Sequence, residues 1–247
     1  SSRKRDALIF YMRTIYPAIK IISTVFLFCN SLITFSQTRK PEKDITQAMN
    51  NEYPLLKEKN SINKKIPGQY EKQVLYALSY FPELAQTKIW FKIKKSKGGI
   101  IATRPTVGSI FRPSSKRSYI VIINDSIGGR RLPTFSNSGV NGQVGILGHE
   151  FCHIIYFQNK TGFGLMGIAL GHVSRKYMDR FENKTDSMDI ERGLGYQLID
   201  WNLYLEKGFR PLLPPGAPNP FEKTGTRERY MSVDHIRRVM AQSALYQ

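Results

Sequence analysis

Disulfide chemistry has almost nothing to work with in this chain, whose 247 residues include only two cysteines, Cys29 and Cys152. Cys29 lies in an apolar N-terminal run, so a chain processed beyond it keeps Cys152 alone, and a disulfide-stapled scaffold is excluded. Histidine is nearly as scarce: there are four, so any pair at ligand spacing stands out. Acidic residues number 19 against 37 lysines and arginines, a net charge of +18. That imbalance favours an anionic surface or envelope polymer as partner. The basic residues are scattered, with Lys92, Lys94, Lys95 and Lys97 in one group and Arg112, Lys116 and Arg117 in another. No RNA-binding signature, zinc-finger spacing or recognition helix accompanies them. No specific nucleic acid is therefore expected, and a basic nucleic-acid-binding protein is the weakest of the function classes considered.

Long hydrophobic runs are also missing. Ile21 to Phe35 (IISTVFLFCNSLITF) is uncharged for 15 residues, short of the roughly 20 that span a bilayer comfortably. Arg13 and Lys20 precede it and Ser36-Gln37 follow, which is the basic, apolar and short-polar order of a secretory signal starting at Met12. Residues 1–36 are accordingly expected to be a signal-peptide region, with a retained single membrane anchor as the rival. The mature chain is then exported, periplasmic or extracellular, and keeps no stable membrane span. Glycosylation sequons begin at Asn124, Asn159 and Asn183. The last stands beside a candidate ligand, which favours a bacterial export route.

What remains is enough for one sizeable core, with 41% hydrophobic and 23% charged residues. Residues 37–65 are polar and lysine-rich without a strong period, which reads as a linker or arm. Val74, Leu75, Leu78 and Phe81 sit at helical spacing, ended by Pro82. Ile89 to Lys94 reads as a strand, with Ser96 to Gly99 as its turn and Ile100 to Thr103 as a hairpin partner. Tyr119 to Asn124 (YIVIIN) is the clearest strand. From Asn141 the period becomes 3.6, giving a helix to about Gln158, a second from about Phe181 to Glu206, and a last one from Val233 capped by Ser232. Strands precede helices, so residues 66–247 are expected to form an α+β domain, a small N-terminal sheet followed by a helical C-terminal part.

The chemistry concentrates in His149-Glu150-Phe151-Cys152-His153. Two histidines four residues apart differ by about 40° around a helix, so both imidazoles can bind one ion. Glu150, turned about 100° from His149, can reach a water on that ion without being a ligand. Leu147, Phe151 and Ile154 supply the core-facing side, and Cys152 reads as a small packing residue. A hydrolytic zinc site needs three protein ligands and an open position for water. His172 and His235 fit poorly as the third, and carboxylates are better. Glu182 is favoured, with Asp186 one turn on, placed to accept the outer N–H of a ligating histidine. Glu191 is the rival, but a continuous helix turns it about 180° from Glu182.

With Glu182 added, His149-Glu150-x-x-His153…Glu182-x-x-x-Asp186 resembles the glutamate zincins, and most closely their HtpX-like and CAAX-processing branch. The match runs from about Asn141 to Trp201. It departs from the family's usual alanine before the aspartate, where this chain has Thr185, and lacks the family's multiple membrane helices. The resemblance implies a zincin-like metallopeptidase domain with one Zn2+ held by His149, His153 and Glu182. It also implies Asp186 behind a histidine, Glu150 as general base and a peptide or protein substrate. Candidate transition-state donors are Tyr177, His172, Arg192 and Tyr196. In zincins the strand nearest the motif helix pairs with extended substrate. That role is expected of Tyr119, Ile120, Val121, Ile122, Ile123 and Asn124. The alternative is a non-catalytic zinc-binding module or degenerate peptidase that binds peptides or envelope polymers.

Overall fold

In Ser118–Ile123 every second side chain, Tyr119, Val121 and Ile123, is fully buried. This β-branched and aromatic alternation buries one face of the strand in the core. The computed structural model describes residues 39–94, 99–125, 133–215 and 228–247. The apolar run 21–35 and most of the turn expected at Ser96 to Gly99 lie outside them.

Among the described residues the elements in chain order are α1 (Thr46–Asn60), β1 (Lys64–Lys65), α2 (Glu71–Leu78), β2 (Lys88–Ile93), β3 (Ile101–Pro105) and β4 (Ser118–Ile123). Then come α3 (Val140–Gln158), α4 (Gly162–Gly171), α5 (Arg175–Glu191), α6 (Gly195–Phe209) and α7 (Val233–Gln242). The four strands form one sheet in the order β1-β2-β4-β3. β2 runs parallel to β4, with Ile89 beside Tyr119, and β3 runs antiparallel to β4, with Ile101 beside Ile123. The architecture is α+β and zincin-like, a small mixed sheet against a helical body.

Two sheet expectations are corrected. Ile100 to Thr103 is not a hairpin partner of Ile89 to Lys94, because β4 is inserted between β2 and β3. For the same reason Tyr119 to Asn124 cannot be a substrate-pairing edge: its strand is hydrogen-bonded on both sides. The edges of the sheet are β1 and β3.

The stretch expected as a linker is helical as well. α1 buries Met49 and Leu56, with Ile45 just ahead of it, against the same core as α2. Arg39 pins its start through Glu52 at 2.7 Å and the Tyr76 hydroxyl at 2.7 Å, its guanidinium lying over the Tyr76 ring. Only two buried apolar positions and an internal Pro54 mark this helix in sequence, too weak a period to read.

α3 is the core helix, with 15 of its 19 residues buried. Its Gly145 faces α6 so closely that a Cβ would strike the Gln197 carbonyl, and one at Gly142 would stand 3.3 Å from the Trp201 Cα. The two backbones can approach only because these side chains are absent. The helix expected from Phe181 to Glu206 is broken in two. Gly193 adopts φ +98°, the left-handed conformation that ends α5, and α6 restarts at Gly195. Ser232 caps α7 by accepting from the His235 amide, and α7 buries Ile236 and Met240 in a second apolar cluster. Among the described residues no helix is long and apolar enough to cross a membrane.

Candidate metal centre

α3 and α5 lie side by side, and their facing side chains define the site. Both His149 and His153 come from one face of α3, their rings 4.7 Å apart and perpendicular. From α5, Glu182 places one carboxylate oxygen 3.1 Å from His149 Nε2 and 3.5 Å from His153 Nε2. All three side chains are buried, and their ligand atoms lie within 4.8 Å of one another. Zinc bonds of 2.0–2.1 Å in a tetrahedron separate neighbouring ligand atoms by about 3.3 Å. The two nitrogen–oxygen distances bracket that value, and two imidazoles with a carboxylate suit a transition-metal ion. The site is of zincin type.

The outer nitrogens settle how the imidazoles point. His149 Nδ1 lies 2.7 Å from Asp186 Oδ1, so its N–H donates to the carboxylate and Nε2 faces the cluster. The second Asp186 oxygen accepts from the Met231 amide at 2.8 Å. Thr185 gives its hydroxyl proton to the Phe181 carbonyl at 2.9 Å, which leaves Oγ1, at 3.4 Å, to accept from His153 Nδ1. Thr185 departs from the family pattern in sequence, yet here it stands behind the second histidine as Asp186 stands behind the first. His153 is also stacked on Phe181, centroids 4.9 Å apart.

Charge follows this geometry. Burial opposes ionisation of Glu182, but the two imidazoles outweigh it and hold the carboxyl well below its ordinary range. Burial likewise opposes protonation of His149, and Asp186 and Glu182 together raise it. The cluster is thus an anionic pocket that retains positive charge. Glu150, 4% exposed, is next to it, and its Oε2 has no hydrogen-bond partner among the described residues. A cavity of about 460 Å³ opens over the cluster, walled by Gly99 to Thr103 of the β3 edge, by Trp201 and Leu205 of α6, and by Tyr230. A buried His/His/Glu set beside a glutamate at an open cavity is consistent with metal-activated hydrolysis. Comparison with protein-family models, curated proteins and solved structures finds no match.

Of the transition-state donors named from sequence, only His172 lines the cavity, its Nδ1 bonded to the Ile168 carbonyl at 2.7 Å. The others are displaced by the packing. Arg192 is held by Glu83 and the Tyr80 carbonyl, over the Phe81 ring. Tyr196 packs edge-on against Tyr246. Tyr177 lies parallel to Phe181, outside the cavity wall. The residue that sequence reasoning missed is Tyr230, whose ring centroid is 6.2 Å from that of His149. Asn183 donates to the Glu228 and Arg229 carbonyls at 2.8 and 2.9 Å, and Asn202 donates to the Met231 carbonyl at 2.8 Å. The bonds clamp the 228–231 segment across α5 and α6. Nothing in the local sequence marks Tyr230, because only tertiary contacts bring it to the site.

Asp189, one turn beyond Asp186, is fully buried, and neither carboxylate oxygen has a partner among the described residues. It packs where a Cβ on Gly148 would clash with it. Burial, the dominant influence, pushes its carboxyl well above the ordinary 3.8. The folded chain therefore holds a proton that the unfolded chain releases above that value. This contribution to stability is complete below the unfolded pKa and is lost as pH rises toward the folded one. Asp189→Asn removes the dependence. Its stability relative to wild type should climb with pH above 3.8 by up to about 1.4 kcal/mol per unit, on top of a constant offset. Urea unfolding across the weakly acid and neutral range checks this; parallel curves for the two proteins would mean that Asp189 is ionised in the fold.

Proposed function

We infer that the protein is a zinc-dependent hydrolase of peptide bonds, its ion held by His149, His153 and Glu182. The single observation that carries this function is the buried His/His/Glu convergence at tetrahedral spacing beside Glu150, whose Oε2 has no hydrogen-bond partner among the described residues. Zinc bound there would polarise a carbonyl and lower the pKa of water. Glu150 takes the proton from the attacking water and returns it to the leaving amine. Asp186 and Thr185 keep both imidazoles in the tautomer whose Nε2 faces the ion, so neither ring must reorganise during turnover. The Tyr230 hydroxyl donates to the oxygen on which charge develops, a role supported by its position in the cavity wall beside His149. His172, which is exposed, lines the same cavity.

An extended substrate also needs a backbone to pair with. β3, at the edge of the sheet and against the cavity, offers its outer amides and carbonyls to such a peptide. The basic, apolar and polar order of Met12 to Gln37 supports export of the enzyme. Cleavage of an unstructured peptide by the wild-type chain, lost in Glu150→Gln while zinc stays bound, is the result that tests the function.

A further inference from the structure

α4 is apolar along its whole length, GFGLMGIALG, yet it buries only Leu165 and Ile168. A helix apolar on every face normally lies inside a core or a membrane. Phe163, Met166, Leu170 and the following Val173 are 79%, 50%, 74% and 86% exposed. Their spacing of three, four and three residues lines them up on the side opposite Leu165 and Ile168. The turn after β3 adds to this stripe. Phe111, 68% exposed, meets Phe163 edge-on at 5.9 Å, and Val107 on the same turn is 74% exposed. Buried Arg117 ties the turn to the end of α3, donating to the Phe157, Lys160 and Arg112 carbonyls at 3.0, 2.6 and 2.9 Å. Every large apolar side chain more than two-thirds exposed, among the described residues, belongs to this one face.

The two stretches that build it carry charge of one sign. No acidic residue occurs between Glu83 and Asp125, or between Glu150 and Asp179, the two stretches that build the face. Arg112 and Lys116 flank Phe111, Lys160 precedes α4, and Arg175 and Lys176 follow Val173; all but Lys160 are exposed. An apolar stripe whose own segments carry only cations is what an anionic lipid surface recognises, apolar side chains entering the acyl boundary and basic ones meeting phosphates. A second copy of this chain would bring the same cations against one another, and an ordinary solvated surface would not concentrate these side chains in one place. We propose that α4 and the Val107–Phe111 turn dock the protein on an anionic bilayer. α4 runs into His172 at the cavity wall, so docking holds the cavity beside the membrane surface.

The test uses the full chain carrying Phe163→Trp and vesicles of phosphatidylcholine alone or mixed with phosphatidylglycerol, brominated in the acyl chains. The unsubstituted chain supplies the background of Trp90 and Trp201, and both proteins share the same N-terminal segment. Emission from the introduced indole should shift to the blue and be quenched by the anionic vesicles, and not by neutral ones at equal lipid. Arg175→Gln and Lys176→Gln should raise the lipid needed by about fivefold for each charge removed. Leu170→Glu should abolish the quenching with the thermal midpoint unchanged. Emission from the F163W indole that stays unquenched, or is quenched equally by neutral vesicles, overturns the proposal. A dimer that Leu170→Glu dissociates, with no quenching in any vesicle, overturns it in favour of a second copy of the chain.

Discussion

Glu150→Gln should keep about one zinc per chain and lose roughly 10²–10⁴-fold in kcat, the usual worth of a positioned general base. The substitution preserves size and a hydrogen-bonding oxygen but removes the group that accepts the proton from water. The metal should stay because Glu150 is not among the three side chains whose ligand atoms converge. Its Oε2 has no partner among the described residues, so the amide breaks no bond seen there and the fold has little reason to respond. KM should change little, since the lost interaction belongs to the transition state. Zinc content, kcat and KM of the purified variant read the three parts separately. If zinc is lost as completely as in His153→Ala, Glu150 is a ligand and the assignment of roles is wrong.

Among Glu182, Asp186 and Glu191, removal of Glu182 should do the most damage to metal binding. Glu182→Ala deletes the one anionic ligand and leaves two buried imidazoles, one of them His149 with its neighbour Asp186. Asp186→Ala leaves all three ligands in place and frees only the outer N–H of His149. It should cost the roughly 10–100-fold typical of a group behind a ligand. Glu191→Ala should be silent, because Glu191 is exposed at the end of α5, away from the cluster. Competition with a chelator gives the three affinities. Equal losses in Glu182→Ala and Glu191→Ala would show that the cluster does not hold the ion.

The metal site was legible because its information is local. The i, i+4 histidines and the i, i+4 Glu182 and Asp186 each lie on one helix, where 3.6 residues per turn decides which side chains share a face. Bringing the two pairs together needed only the packing of α3 on α5. Sheet order was not legible, since an alternating strand can be central or at an edge, and YIVIIN marks Ser118–Ile123 as buried without saying which strands flank it. The break at Gly193 was hidden because an apolar stripe continues through it, while a single glycine is tolerated in many helices. Tyr230 was hidden for a different reason: its position depends on bonds from Asn183 and Asn202 far away in the chain. Cys152 packs in the core, as expected of a small side chain there: it is buried, and burial pushes its thiol well up, which leaves it inert. α4 was not legible because four glycines, Gly162, Gly164, Gly167 and Gly171, weigh against a helix, and its exposed apolar face serves no core.

His149, His153 and Glu182 should together hold one zinc ion. Elemental analysis of the chain purified without chelator, beside His149→Ala, tests it most directly. The wild-type chain should carry about one zinc and the variant almost none. Wild-type protein that carries no transition metal, or carries iron in place of zinc, would contradict it.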